Sequence, residues 1–148
     1  MICCVQRVDG ASVSIDAEEE RNIDEGLLVF IGVEKSDEEH SCSWLADKVC
    51  GLRIFEDEKG KMSRSVQDIS GEIMIISQFT LSASCKKGKR PDFSNAMEPE
   101  TAKMLYEKFV ESCRKIVGKE NVKTGKFGAY MKISLVNDGP VTILLDHK

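Results

Sequence analysis

The chain has no apolar run approaching the roughly 20 residues that a membrane-spanning helix needs. Its start, Met1-Ile2-Cys3-Cys4-Val5-Gln6-Arg7, has neither the basic opening nor the apolar centre of a secretory signal. A cytoplasmic protein without a membrane role is expected. Histidine is scarce: His40 and His147 are the only two, and neither lies near a paired-cysteine spacing, so zinc and metal-hydrolase sites lack ligands. The six cysteines, Cys3, Cys4, Cys42, Cys50, Cys85 and Cys113, contain no C-x-x-C pair and read as reduced thiols, mostly small apolar fillers. Also missing are a glycine-rich phosphate loop and a G-x-S-x-G elbow. His40 falls in the first turn of an expected helix and His147 one residue from the end, where ordering is poor, so a Ser-His-Asp triad finds no base. A net charge of −4 excludes a generally basic nucleic-acid coat and leaves room for a local patch.

What is present suits one globular domain over residues 1–148: 41% hydrophobic, 31% charged, three prolines and no low-complexity tract. Ile2 to Arg7 and Ala11 to Ile15 alternate about Val8-Asp9-Gly10 and predict an opening hairpin. Gly26 to Val33 is a continuous apolar run of strand length, expected at the centre of the sheet. Ser36-Asp37-Glu38-Glu39 has the form of a capping box, with a helix following to about Gly51. Glu56 to Lys61 reads as a solvated hairpin tip, and Glu72 to Gln78 as a second apolar strand ending abruptly in polar groups. Pro99 opens a second helix, whose apolar positions Ala102, Leu105, Tyr106, Phe109, Val110 and Cys113 share one face before Gly118 closes it. Phe127, bracketed by Gly125 and Gly128, suits either core or pocket wall. These elements predict an α+β fold: a mostly antiparallel, strongly coiled β-barrel-like sheet of about seven strands with two covering helices. Periodicity leaves barrel and open sheet undecided.

Two polar stretches interrupt this pattern. Ser77-Gln78-Phe79-Thr80-Leu81 ends an apolar strand with two hydroxyls, either of which would be a nucleophile if a base stood beside it. Val136-Asn137-Asp138-Gly139-Pro140-Val141-Thr142 joins two alternating runs. Asp-Gly there would ordinarily make a tight hairpin, but Pro140 has no N–H for the ladder. The choice lies between a plain surface turn and a rigid dipeptide whose carbonyls meet a ligand. Lys86-Lys87-Gly88-Lys89-Arg90-Pro91 is either a solvated loop or a phosphate-contacting one. With no base in view, a hydrolase built this way works by positioning, by backbone donors around a developing oxyanion, and by a group the substrate brings.

Together these stretches resemble the paired signature of the D-aminoacyl-tRNA deacylases, in their main bacterial and eukaryotic branch. Val5-Gln6-Arg7-Val8, Leu52 to Asp57, Lys87 to Pro91 and Gly125 to Met131 fit the same pattern in order. Ser84-Cys85-Lys86 departs from the Asp-Thr-Arg usual there, and Cys3 and Cys4 stand at aliphatic positions. The resemblance implies a homodimer of barrel-like subunits with sites at the interface, and a cis Gly139–Pro140 peptide entering the partner's pocket as a chiral gate. It implies Ser77, Gln78, Phe79 and Thr80 as the catalytic pocket floor, with backbone N–H groups near Phe79 and Thr80 facing the ester carbonyl. Asn137, Phe127 and Met131 would join Gly139 and Pro140 in binding substrate, with Arg7 holding the gate loop. Lys86, Lys87, Lys89 and Arg90 would contact tRNA, and neither metal nor organic cofactor is implied. The 2′-hydroxyl of the substrate's terminal adenosine would activate water or assist attack on the ester. Competing readings are a non-catalytic nucleic-acid-binding dimer, for which DNA binding as a secondary role stays open, and a conventional Ser or Thr esterase.

Overall fold

The structure is a computed structural model, and it describes residues 1–86 and 88–147. Eight strands and two helices run in the order β1 (Ile2–Ile15), β2 (Glu19–Ile23), β3 (Gly26–Gly32), α1 (Glu39–Cys50), β4 (Phe55–Glu56), β5 (Met62–Arg64), β6 (Glu72–Ser77), α2 (Pro99–Val117), β7 (Val122–Thr124) and β8 (Met131–Asp146). The main sheet has the order β2-β1-β3-β6-β7, with β8 on the other side of β1, while β4 and β5 form a separate ribbon. It is mixed rather than mostly antiparallel: β3–β6 and β6–β7 are parallel pairs, because α1 and α2 each serve as a crossover returning the chain to the same end of the sheet. Arg21 on β2 donates through Nη1 to the Thr124 carbonyl of β7 at 2.7 Å, drawing the two ends of the sheet together into a nearly closed barrel.

Two expected turns are absent. The opening hairpin is one 14-residue strand, β1, bulged about Val8 and Gly10, with β3 and β2 along one edge and β8 along the whole of the other. The Asp-Gly-Pro stretch is not a hairpin either: β8 continues through it, pairing antiparallel with β1 from Met131 opposite Ile15 to Asp146 opposite Ile2. Between the pairs Val8–Asn137 and Gln6–Thr142, Arg7 alone faces the four residues Asp138 to Val141, which are therefore extruded as a wide bulge. The expected capping box also moves. Asp37 is buried, accepting from the Glu34 N–H at 2.6 Å and pairing with the Met1 ammonium, so α1 begins later and the Glu38 N–H reaches Ser41 Oγ at 3.4 Å. Helix α2 starts as expected, the Glu98 carboxylate accepting from the Thr101 and Glu100 N–H groups, which holds its pKa below the usual range.

One core lies between the helices and the sheet, with Leu45 and Val49 of α1 and Phe109 and Cys113 of α2 against Val5, Val29 and Ile73. A second lies on the opposite face, where Leu28, Met74 and Ile76 meet Val8, Val13 and Ile15. Burial pushes the thiol of Cys3 far up and that of Cys42 to about 11, and a hydrogen bond with Cys50 together with burial raises that of Cys113, in keeping with packing roles. At the chain's end His147 is better held than expected, its ring 5.0 Å from that of His40 and 4.7 Å from Trp44.

Candidate functional site

Strand β6 delivers the first polar stretch. Its last residue, Ser77, pairs with Ile31, and the Gln78 N–H closes the ladder on the Ile31 carbonyl at 2.8 Å. The chain then turns into one 3-10 turn, Phe79–Ser82, that packs hard on β3: a Cβ on Gly32 would stand 3.0 Å from both the Gln78 oxygen and Leu81 Cβ. The first N–H to bond back within the turn is that of Leu81, to Gln78 O at 3.3 Å, so those of Phe79 and Thr80 precede the turn's own bonding. Thr80 Oγ1 sits 2.5 Å from the Gln78 side-chain amide, a donor and not a base.

Ser77, Gln78 and Phe79 border a mainly apolar cavity of about 510 Å3, whose far walls are Tyr106 from α2 and Phe127 and Met131 from the segment entering β8. Phe127 answers both expectations. It packs on the helix-side core and lines the cavity, its ring 5.8 Å from Tyr106. Tyr106 was legible only as a helix-stripe residue; its hydroxyl donates to the Ile75 carbonyl at 3.0 Å, and burial pushes its pKa up, so it stays neutral.

The second polar stretch lies elsewhere. The bulge is held from below by Arg7, only 6% exposed, which donates through Nη1 to the Ile54 carbonyl at 2.5 Å and sets Nε 2.7 Å from Asp138 Oδ2. That contact is an ion pair off the N–H axis and not an aligned hydrogen bond. Arg7 and Asp138 border a smaller polar cavity of about 320 Å3 with Glu56 and Arg64. Asn137 closes the bulge internally: Oδ1 accepts from the Val141 N–H at 3.0 Å and Nδ2 donates to Thr142 Oγ1 at 3.2 Å. The Gly139–Pro140 peptide is cis, and both residues are exposed. Asp138, which the sequence offered only as half of a turn, is the charged partner that Arg7 needs.

The structure thus brings Ser77, Gln78, Phe79, Phe127 and Met131 to one cavity and Arg7, Asn137, Gly139 and Pro140 to another place, with Thr80 beside the first. Counting along β1 from Ile15, opposite Met131, to Val8, opposite Asn137, the two places lie roughly 20 Å apart. Lys86, Lys89 and Arg90 are exposed in a loop pinched by two backbone hydrogen bonds between Ser84 and Asp92, of 2.8 and 2.9 Å; Lys87 lies outside the described residues.

Residues 4–146 match the D-Tyr-tRNA(Tyr) deacylase family. The chain is 57% identical over 146 residues to the D-aminoacyl-tRNA deacylase of Thermotoga petrophila, covering 99% of this chain and 97% of that one. It is 52% identical to the protein of the same name from Cytophaga hutchinsonii, over 100% and 98% of the two chains. Among solved structures, one named c-Myc DNA Unwinding Element Binding Protein superposes with a TM-score of 0.95 at 44% identity, covering 100% of this chain and 99% of that one. A probable eukaryotic D-amino acid tRNA deacylase shares the fold alone, with a TM-score of 0.86 at 16% identity over 99% and 98% of the chains. The chain belongs to the D-Tyr-tRNA(Tyr) deacylase family, and with it to the hydrolases acting on ester bonds.

Proposed function

We propose that this chain hydrolyses the ester of D-aminoacyl-tRNA in the cytoplasm, as a homodimer in which each cavity is closed by the other subunit's Gly139–Pro140 bulge. The observation that carries this reading is the separation along β8. A cavity at the start of the strand and a rigid exposed dipeptide at its middle cannot meet within one subunit. Strand β8 has β1 on one edge and, among the described residues, no strand on the other, and Leu135, Val136 and Leu144 are exposed along it. A second copy laid on that surface would satisfy both facts.

In this scheme the terminal adenosine enters the apolar cavity and its ester carbonyl faces the Phe79 and Thr80 N–H groups, which stabilise the developing oxyanion. The Gly139 and Pro140 carbonyls of the partner subunit capture the α-amino group. An L side chain would then point into backbone that cannot rotate away, so selectivity comes from rejection. The substrate's 2′-hydroxyl activates the attacking water; Thr80, facing an amide donor, acts through position and not as nucleophile. Lys86, Lys87, Lys89 and Arg90 contribute phosphate contacts. Glycyl-tRNA, which has no side chain to reject, is cleaved as well.

The test is single-turnover hydrolysis of D-tyrosyl-tRNA and L-tyrosyl-tRNA side by side with chelator present. Loss of the D ester alone is expected; equal rates on both, or none on either, would overturn the reading. The second reading, binding of DNA without turnover, is favoured by the name of the 44%-identical structural neighbour, and predicts oligonucleotide binding indifferent to substitutions at Gly139.

A further inference from the structure

Phe79 and Phe93 form an aromatic surface at the lip of the cavity that the chemistry above does not use. Phe79 is 59% exposed and Phe93 37%, their ring centroids 5.2 Å apart and their planes at 64°. Phe93 is held firmly. The Asp92 carboxylate accepts from the Ser94 N–H at 2.8 Å and hydroxyl at 3.1 Å, the Ala96 N–H returns to the Phe93 carbonyl at 2.9 Å, and the Asn95 side chain donates to Glu34 at 2.5 Å. Two adjoining phenyl rings fixed in water forgo burial that the fold could have supplied, which marks an interaction site. The two Ser84–Asp92 backbone bonds root the loop that carries the exposed Lys86, Lys89 and Arg90 at the residue before Phe93.

We propose that the Phe79–Phe93 pair is a stacking platform for the unpaired nucleotide that precedes the esterified terminal nucleoside. The strand leaves the cavity across the two rings and passes its phosphates to the basic loop. The proposal rests on the RNA-ester reading of the cavity and extends it to the strand behind the reacting end. Aromatic faces next to cations are how proteins grip single-stranded nucleic acid without reading its sequence, since every base has a π-face. The occupant is a nucleotide and not an apolar protein surface because the patch is flanked by lysines, which protein interfaces deplete at their centres.

The test uses Phe93, which lies outside the catalytic groups. The full chain is titrated into a short non-acylated RNA carrying 2-aminopurine just before the terminal adenosine. Hydrolysis of D-tyrosyl-tRNA is compared with that of D-tyrosyl-adenosine, which lacks the preceding nucleotide. Wild type and Phe93→Trp are expected to quench the fluorophore. Phe93→Leu, apolar but without a π-face, is expected to abolish quenching and to lower kcat/KM on tRNA by roughly 5- to 30-fold while leaving the adenosine ester unchanged. Absence of quenching by wild type, an equal loss on both substrates, or a Phe93→Leu effect confined to the oligomeric state would overturn the platform. Quenching without hydrolysis of any D ester would leave the platform standing and remove the catalytic reading instead.

Discussion

The start of β8 and its middle are built on opposite principles. Around Met131 the site is made by burying carbon: Tyr106 and Phe127 wall a cavity continuous with the helix-side core, so its shape is fixed by the same packing that stabilises the fold. Around Pro140 almost nothing is buried, and shape is fixed by Arg7, Asp138 and Asn137 acting on an exposed backbone. Damage at the first therefore costs stability along with activity. Damage at the second is expected to cost chiefly activity.

That contrast is broken most sharply at Gly139. Its φ of +118° and a Cβ position 2.9 Å from Val141 Cγ2 and 3.1 Å from Arg7 Nη2 leave no room for a side chain. Gly139→Ala is expected to lower kcat/KM on D-tyrosyl-tRNA by about 100-fold, the cost of displacing a positioning group by an ångström, with a fall in Tm smaller than that of a core variant because the strain falls on an exposed bulge. A fall in Tm as large as that of a core variant would erase the distinction. At the cavity, Phe127→Ala is expected to lose roughly 1–2 kcal/mol in urea unfolding, since the ring is only partly buried, together with about 10-fold in activity on D and glycyl esters alike. Asp138→Asn keeps the shape but removes the charge facing Arg7. Asp138 is half-exposed, so its pair with the buried Arg7 is screened to about 1 kcal/mol, and roughly a fivefold loss of D-over-L selectivity is expected, seen as cleavage of the L ester.

The smallest effect is one of pH. The Ser94 N–H and hydroxyl hold the Asp92 carboxylate below its ordinary range. A carboxylate depressed on folding stabilises above its unfolded pKa and loses that contribution as pH falls through the folded one. The Ser94 amide resonance is therefore expected to stay put from pH 7 down to about 4 and to move only below that.

The sequence was most legible where local chemistry and long-range packing agree. Glu98-Pro99 begins a helix in isolation and begins one here; Gly26 to Val33 reads as a central strand and is one, flanked by β1 and β6. It misled where a turn signal lay inside a long ladder. Val8-Asp9-Gly10 and Asp138-Gly139-Pro140 each carry residues that reverse chains, but twelve paired positions between β1 and β8 outweigh both and convert the turns to bulges. The parallel pairings had no local mark, being set by where the helices return the chain. Of the site, both polar motifs were visible, but their separation was not. Nor was Phe93, which sits in an aperiodic loop and gains meaning only from the ring beside it.

The register of β8 against β1 also makes the strand a ruler. Removing one residue between Met131 and Asn137 would turn every following side chain to the other face and draw the dipeptide about 3.3 Å toward the cavity end; removing two would restore the facing and double the displacement. Neither change touches Met131, Asn137, Gly139 or Pro140, yet each alters the span between the cavity and the bulge. A point substitution along this stretch leaves the register in place, whereas a change of length shifts it, so in this segment the count of residues sets the geometry as much as their identity does.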